Sequence, residues 1–151
     1  MKIRIYDNFF TQDECKELID LRTKFSQFIE PMYNGSVLRV KRILDKKYRD
    51  KINKVSEDIN NSKIDYIEVV EWPKDSYKDL HFDSFKEKTT LSSVAFLNTD
   101  YSGGDLFFED MTIIKPRLGR MVFFDGKFYL HGVSKIKQGT RYMLTGFYES
   151  K

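Results

Sequence analysis

The sequence has little of what would identify several common classes of protein. It contains one cysteine among 151 residues, so no disulfide can form within the chain and nothing indicates an oxidising compartment. No apolar run approaches the length of a transmembrane helix, and no N-terminal apolar segment resembles a signal peptide. These absences predict a cytoplasmic protein without a membrane partner, in which Cys15 packs on an apolar helix face.

The sequence also lacks an excess of charge of either sign. Its 26 lysine and arginine residues are nearly balanced by 23 aspartate and glutamate residues, which leaves a net charge of +3. Such a balance gives no electrostatic reason to expect a nucleic-acid partner. A chain of 151 residues with 40% hydrophobic content suffices for one core and is short for two. One domain spanning residues 1–151 is therefore expected, and the number of subunits is left open.

Two helices are predicted in the first part of the chain. The letters TQDE at residues 11–14 form a capping box, and apolar residues at helical spacing predict a helix over residues 12–28, with Arg22 as the one polar break. Apolar residues at 37–40 favour a short strand. A second helix, ending near residues 60–61, is predicted by the spacing of Tyr48, Ile52, Val55 and Ile59.

The chain after residue 63 is predicted to form strands. Short runs rich in Val, Ile, Phe and Tyr recur there between turn signals, such as those at residues 103–104 and 125–126. Many short strands of this kind are typical of a sandwich or a barrel.

Histidine is scarce as well, and both copies fall in a pattern that metal sites use. His81 and Asp83 are two residues apart, so on a strand both side chains would project from one face while Phe82 points away. With His131 they make a set of two imidazoles and one carboxylate, the ligands of non-haem iron(II) oxygenases. A His-x-Asp pair taken alone is more often a surface hydrogen bond than a ligand pair, so the pattern needs support from its neighbours.

Four segments in a fixed order supply this support. They are EWPKDSYKDLHFD at residues 71–83, FLN and GGDLFF within 96–108, KPRLGRMVFF at 115–124, and HGV and GTRY within 131–142. These segments resemble the motifs of iron(II)- and 2-oxoglutarate-dependent dioxygenases of the prolyl 4-hydroxylase type, including compact viral members, and DNFFTQDEC at residues 7–15 is similar to the N-terminal helix of that group. The resemblance implies a mainly β fold of the α+β class, a double-stranded β-helix (jelly-roll) core buttressed by two or more helices.

The resemblance also implies a chemistry. His81, Asp83 and His131 would hold iron(II), and 2-oxoglutarate and O2 would be consumed to hydroxylate a substrate C–H bond, with release of succinate and CO2 and with ascorbate as a candidate reductant. The carboxylate of Asp83 argues against the related halogenases, which have a small residue there. Phe147, in place of a second arginine, argues against the nucleic-acid demethylases. The glycine pair at residues 103–104 is expected to turn beside the metal.

Arg141 lies ten residues after the second histidine, where the resembled family holds the distal carboxylate of 2-oxoglutarate. A guanidinium can grip a carboxylate through two hydrogen bonds, and the apolar residues that follow predict that this one is buried and needs a partner. Ser92 aligns with a hydroxyl residue that assists, and Trp72 stands where the family usually has a tyrosine. Because an indole donates but cannot accept a hydrogen bond, Tyr77 and Tyr66 are alternatives for that contact.

The substrate that the resemblance favours is a peptidyl proline, converted to 4-hydroxyproline, although the same core serves oxygenases of other residues and of small molecules. A jelly roll that binds a metal without redox chemistry and a catalytically silent peptide-binding module are further alternatives. Tyr33, Arg39 and Trp72 are the predicted peptide contacts, and residues 31–40 are a candidate loop over the site. Turn or surface positions, rather than metal binding, are expected for Asp105, Glu109, Asp110 and Asp125.

Overall fold

The structure is a computed structural model that describes residues 2–32, 34–83 and 86–151. Tyr33, one of the predicted peptide contacts, lies outside the described residues. The helices are α1 (Gln12–Lys24) and α2 (Lys46–Asn60), with a short 3-10 helix at Ser26–Phe28. The strands are β1 (Arg4–Tyr6), β2 (Glu30–Met32), β3 (Gly35–Arg39), β4 (Ser62–Trp72), β5 (Lys78–His81), β6 (Thr89–Phe96), β7 (Ser102–Gly103), β8 (Leu106–Phe108), β9 (Ile113–Ile114), β10 (Met121–Phe124), β11 (His131–Val133), β12 (Ile136–Gln138) and β13 (Arg141–Ser150).

The strands form two main antiparallel sheets. The larger sheet has the order β1-β10-β6-β13-β4-β3-β2, the smaller has the order β5-β11-β8-β9, and β7 pairs with β12 apart from both. Side chains from both main sheets line one cavity, so the sheets face each other. Two facing antiparallel sheets buttressed by helices are the architecture of the predicted jelly roll. None of the helices in the described part of the chain has the length and hydropathy needed to span a membrane.

The first helix begins as predicted and ends early. Its capping box is present, with Thr11 Oγ1 accepting from the Glu14 amide at 3.1 Å and Glu14 Oε1 accepting from the Thr11 amide at 2.9 Å. The predicted end at residue 28 is wrong, because Phe25 leaves the α region (φ −118°, ψ 34°) and the chain continues as a 3-10 helix. Phe25 packs against the main core, the buried cluster that includes Phe10, Leu18 and Ile52.

Arg22, the polar residue that interrupts the apolar face of α1, binds this helix to β4. Arg22 is 7% exposed, its Nη1 donates to the carbonyl of Val69 at 2.9 Å, and its Nη2 lies 3.4 Å from the carboxylate of Glu71. A buried guanidinium is tolerated only when it is hydrogen-bonded and paired. Arg22 therefore fixes α1 to the outer face of β4.

The second helix matches its prediction. Asp45 caps its start by accepting from the Lys47 amide at 2.9 Å, and Asn61 ends it in the left-handed conformation with φ 56°. Tyr48 and Ile52 are buried in the main core, and the helix packs chiefly on β4. The two helices therefore pack on one face of β4, and its other face lines the cavity.

Candidate active site

The cavity between the two sheets brings together six residues that the sequence predicts for the site. These are Trp72, His81, Asp83, Ser92, His131 and Arg141. Tyr77 does not line the cavity and is 49% exposed, so the structure does not bring it together with these six residues. Tyr66 also lies outside the cavity lining, where its ring packs against Phe147 at a centroid distance of 6.0 Å.

Strand pairing places the two histidines together. His81 on β5 and His131 on β11 are direct cross-strand partners, and their rings lie 4.4 Å apart. Asp83 follows two residues after the end of β5, where its amide donates to the carbonyl of Gly126 at 2.7 Å. One ligand atom from each of the three residues lies within 4.8 Å of the others, close enough to share one ion.

Both imidazoles are held in the orientation that a metal site requires. Nδ1 of His81 lies 2.8 Å from the carbonyl of Asp79, and Nδ1 of His131 lies 2.8 Å from the carbonyl of Tyr129. A carbonyl can only accept, so Nδ1 carries the proton on each ring. In the neutral tautomer each Nε2 therefore presents a lone pair toward the carboxylate, which is how a histidine ligand is usually oriented by its other nitrogen.

The carboxylate of Asp83 lies next to the Nε2 atoms of both histidines. Its Oδ2 lies 3.3 Å from Nε2 of His131, and its Oδ1 lies 3.5 Å from Nε2 of His81, with Asp83 only 7% exposed. Burial alone would raise the pKa of Asp83, but its close contacts with the two imidazole rings and the hydrogen bond from Ser92 hold that pKa below its usual range, so the carboxylate is ionised. Oxygen anions and nitrogen lone pairs at these distances repel unless positive charge lies between them. The three residues therefore fit a divalent cation.

Two neighbours hold Asp83 in place. Ser92 Oγ donates to Asp83 Oδ2 at 2.8 Å. Gly126 leaves no room for a side chain, since a Cβ there would lie 2.1 Å from the same carboxylate oxygen. The hydroxyl of Ser92 thus orients a metal-site carboxylate here, a role that the sequence did not predict, and the missing side chain of Gly126 makes space for it.

Removing the Ser92 hydroxyl is expected to weaken metal binding. Loss of a hydrogen bond that orients a ligand typically lowers metal affinity by about 10–100-fold, so Ser92→Ala should show a decrease of that order when titrated with Mn(II). Ser93→Ala is the matched control, because the Ser93 hydroxyl bonds to Tyr148 at 2.7 Å instead. Equal affinity of the two variants for Mn(II) would show that Ser92 does not orient the carboxylate.

Arg141 lies at the other end of the cavity. It is 2% exposed, stands opposite Trp72 in the β13–β4 pairing, and has its guanidinium carbon 5.8 Å from the ring centre of Phe96. Within the described residues, Arg141 Nε and Tyr101 Oη are both buried without a hydrogen-bond partner. Burial raises the pKa of Tyr101, and the nearby guanidinium opposes that rise. A buried cation with an unpaired donor, beside an unpaired phenol, fits an anionic ligand.

The glycine pair lies beside the arginine and not beside the metal, which corrects the prediction for it. Gly103 and Gly104 have φ values of 75° and 67°. A Cβ at Gly104 would lie 2.9 Å from Cδ of Arg141 and 3.1 Å from Cε2 of Tyr101. The turn therefore lets the backbone close over the guanidinium.

The carboxylates that were expected outside the metal set behave as turn or surface residues. Asp110 accepts from the Thr112 amide at 3.0 Å and Asp125 from the Lys127 amide at 3.2 Å, both across tight turns. Asp105 pairs with the exposed Lys115 at 3.0 Å, and Glu109 is exposed.

One buried carboxylate in the cavity was missed by the sequence analysis. Glu68 on β4 is 3% exposed, lines the cavity, and has an Oε2 atom without a hydrogen-bond partner among the described residues. Burial raises its pKa to about 6, and the nearby phenol of Tyr66 and the charges of Arg39 and Lys78 only partly offset this. Its sequence context, an alternating strand, gave no sign of a polar group on the inner face.

The raised pKa of Glu68 predicts how its removal changes stability. Because folding favours the protonated form of Glu68, the contribution of this residue to the stability of the fold is complete below pH 4.5. That contribution is lost as the pH rises through about 6. Glu68→Gln imitates the neutral form, so its free energy of unfolding should exceed that of the wild type by about 2 kcal/mol at pH 7, with little difference at pH 4. Urea denaturation of the metal-free proteins at both pH values measures this, and a lower stability of the variant at pH 7 would contradict it.

Comparison with known proteins places this site in a family. A model described as the 2OG-Fe(II) oxygenase superfamily matches residues 67–149, more than half of the chain and all three residues of the His-Asp-His set. The chain belongs to the 2OG-Fe(II) oxygenase superfamily. The predicted enzyme class, a 2-oxoglutarate-dependent dioxygenase that uses iron(II), 2-oxoglutarate and O2, is thereby confirmed. No curated protein sequence matches this oxygenase significantly.

Solved structures resemble the oxygenase over its whole length. A viral collagen prolyl hydroxylase from Paramecium Bursaria Chlorella virus-1, in complex with 2OG, has a TM-score of 0.79 at 19% identity and covers 100% of this chain and 97% of its own. A Pseudomonas putida prolyl-4-hydroxylase has a TM-score of 0.80 at 18% identity, with coverage of 99% and 92%. A Trichoplax adhaerens prolyl hydroxylase, in complex with a hypoxia inducible factor peptide fragment, has a TM-score of 0.72 at 16% identity, with coverage of 98% and 83%. These similarities confirm the predicted jelly-roll fold of the oxygenase.

Proposed function

We propose that this oxygenase hydroxylates a prolyl residue of a peptide, with iron(II) held by His81, Asp83 and His131 and with 2-oxoglutarate anchored by Arg141. The observation that carries the proposal is the presence, in one cavity, of a three-ligand set and a buried guanidinium whose Nε lacks a hydrogen-bond partner among the described residues. When bound, the iron and its cosubstrate supply the oxidising chemistry, as cofactors generally do. The protein supplies position, charge and exclusion of water.

The three ligand side chains would take one face of the ion. Two neutral imidazoles and one carboxylate neutralise only one of the two positive charges of iron(II), and they leave coordination positions open on the opposite face. The carbonyls of Asp79 and Tyr129 hold each imidazole with its Nε2 toward Asp83, and Ser92 holds the carboxylate by a hydrogen bond, so all three would be ready to bind iron(II). The site is therefore arranged before the ion binds.

Arg141 would bind the distal carboxylate of 2-oxoglutarate. Its guanidinium is buried, and no salt bridge to it occurs among the described residues, so its charge is available to an anionic ligand of the cavity. A carboxylate paired with a guanidinium forms two charge-assisted hydrogen bonds, which are stronger in a site from which water is excluded. The cavity wall also contains apolar residues, among them Val70, Leu106 and Phe124. This wall would shield the cosubstrate from water.

A peptide substrate is supported by the surface around the site. Tyr77, Leu80 and Phe82, which flank His81 in the chain, are 49%, 42% and 48% exposed. Large apolar side chains that stay exposed often mark a surface that binds a peptide or another protein. An extended proline-containing peptide suits such a surface, because a polyproline helix has no internal hydrogen bonds to break on binding.

The predicted peptide contacts differ in how well they suit this role. Trp72 is 7% exposed and packs with Val37, Val70 and Ile136, so it belongs to the cavity wall rather than to an open surface. The side chain of Arg39 is 62% exposed and its guanidinium lies 5.3 Å from the ring centre of Tyr66. Arg39 therefore stays a candidate for peptide contact.

Mass spectrometry of proline-containing peptides tests the proposal. We expect incubation with the enzyme, Fe(II), 2-oxoglutarate and O2 to add one oxygen atom to a proline, with succinate formed in equal amount. The matched control peptide has the proline replaced by alanine and should gain no oxygen. An oxygen found on another residue, or only on a free small molecule, would reject the prolyl substrate and leave the oxygenase class intact.

A further inference from the structure

Glu68 is a charged group of the cavity that the proposed chemistry does not use. Its strand partners are Thr145 on β13 and Arg39 on β3, and two of its neighbours on the same face of β4, Val70 and Trp72, also line the cavity. The carboxylate is almost fully buried, and its Oε2 has no hydrogen-bond partner within the described residues. A buried acceptor without a partner is costly unless a ligand satisfies it.

Neither the metal nor the cosubstrate explains this carboxylate. Glu68 is not part of the His81, Asp83 and His131 cluster, and the described residues show no ion pair between it and Arg141. A carboxylate in the wall would repel the dianion of 2-oxoglutarate rather than help to bind it. The remaining component that enters the cavity is the substrate.

We propose that Glu68 selects the substrate by accepting a hydrogen bond from the backbone N–H of the residue that follows the target proline. This inference rests on the proposed function of the site. It names Glu68 as a specificity-determining residue that contacts the peptide and takes no part in the oxidation.

The choice of a neutral N–H donor follows from the charges around Glu68 and from the chemistry of proline. Arg39 and Lys78 place positive charge near the Glu68 carboxylate, so these two residues would repel a cationic group of the substrate. The phenol of Tyr66 is also close, and Glu30 contributes negative charge. A peptidyl proline has no N–H of its own. In an extended peptide the nearest backbone donor on its C-terminal side is the amide of the next residue, which a polyproline conformation leaves unpaired.

The test compares two peptides that differ only at this amide, a proline followed by alanine and a proline followed by N-methylalanine. With the wild type, kcat/KM for hydroxylation should fall at least about tenfold on methylation, the loss typical of a hydrogen bond to a charged acceptor. Glu68→Leu, which cannot accept the bond, should process both peptides with similar kcat/KM. Glu71→Gln is the matched control, because Glu71 lies on the other face of β4, where it contacts Arg22 and Tyr142, and it should discriminate as the wild type does.

The ratio between the two peptides is the readout, since a merely structural change would lower both rates together. Glu68→Gln, which keeps one acceptor oxygen, covers the case in which the leucine variant does not fold, and it should show a reduced ratio. A wild-type ratio near one, or a leucine or glutamine variant that discriminates like the wild type, would overturn the inference while prolyl hydroxylation stands. If the wild type consumes 2-oxoglutarate without hydroxylating either peptide, the prolyl substrate is wrong and the inference fails with it.

Discussion

Exchanging His131 for alanine is expected to abolish succinate formation while the fold survives. The imidazole is one of only three ligands in the proposed site, and its Nε2 lies 3.3 Å from the Asp83 carboxylate. Loss of a direct ligand should lower the affinity for Fe(II) by more than the roughly hundredfold limit seen for residues that only orient ligands. Succinate release in the presence of Fe(II) and 2-oxoglutarate measures the activity, and far-ultraviolet circular dichroism measures the fold.

Asp125→Asn is the control for this experiment. Its carboxylate lies close in the chain but caps a turn through the Lys127 amide rather than joining the metal set, so we expect Fe(II)-dependent turnover close to that of the wild type. Wild-type turnover by the His131 variant would show that the iron is held by other residues.

Exchanging Arg141 for alanine is expected to weaken binding of 2-oxoglutarate by about two orders of magnitude. An anionic group left unpaired in a buried site typically costs about 2–5 kcal/mol, which corresponds to a factor of roughly 30 or more in affinity. Titration under anaerobic conditions measures binding without turnover. Arg141→Lys should retain more affinity, because it keeps the charge and loses the two-pronged geometry.

Arg117→Ala is the matched control, since that guanidinium pairs with Asp7 at 3.3 Å and its side chain is 63% exposed. It should bind 2-oxoglutarate as the wild type does. Equal affinity of the Arg141 and Arg117 variants would mean that the cosubstrate is anchored elsewhere in the cavity.

Residues that act through spacing along the chain were predictable, and the ordered motifs made them more so. His81 and Asp83 are two residues apart, and the histidine and arginine of the later motifs, His131 and Arg141, are ten apart. These spacings along the chain identified residues that line one cavity in the structure. The capping box of α1 and the apolar spacing of α2 are equally local. Their physical cause is contained within a few turns of one helix.

Residues that act through strand register were not predictable from one sequence. Glu68 lines the cavity, and Tyr101 and Gly104 lie next to Arg141, because of which strands are adjacent. Spacing along the chain does not encode which strands pair. Tyr77 lies within a motif of the sequence but is exposed and does not line the cavity, and a motif alone does not distinguish these positions. The edge strands β1 and β2 were also missed, since three residues are too few for a periodic pattern. A single domain and a cytoplasmic location stay predictions.

The smaller sheet has a mechanical consequence for the enzyme. Strand β5, which ends at His81 and leads to Asp83, is an edge strand that, among the described strands, pairs with β11 alone, the strand that carries His131. An ion bound by all three residues would join this edge to its neighbour as a covalent crosslink does. Opening of the edge and release of the ion would then be linked equilibria, so that amide hydrogen exchange in β5 should slow as the metal concentration rises.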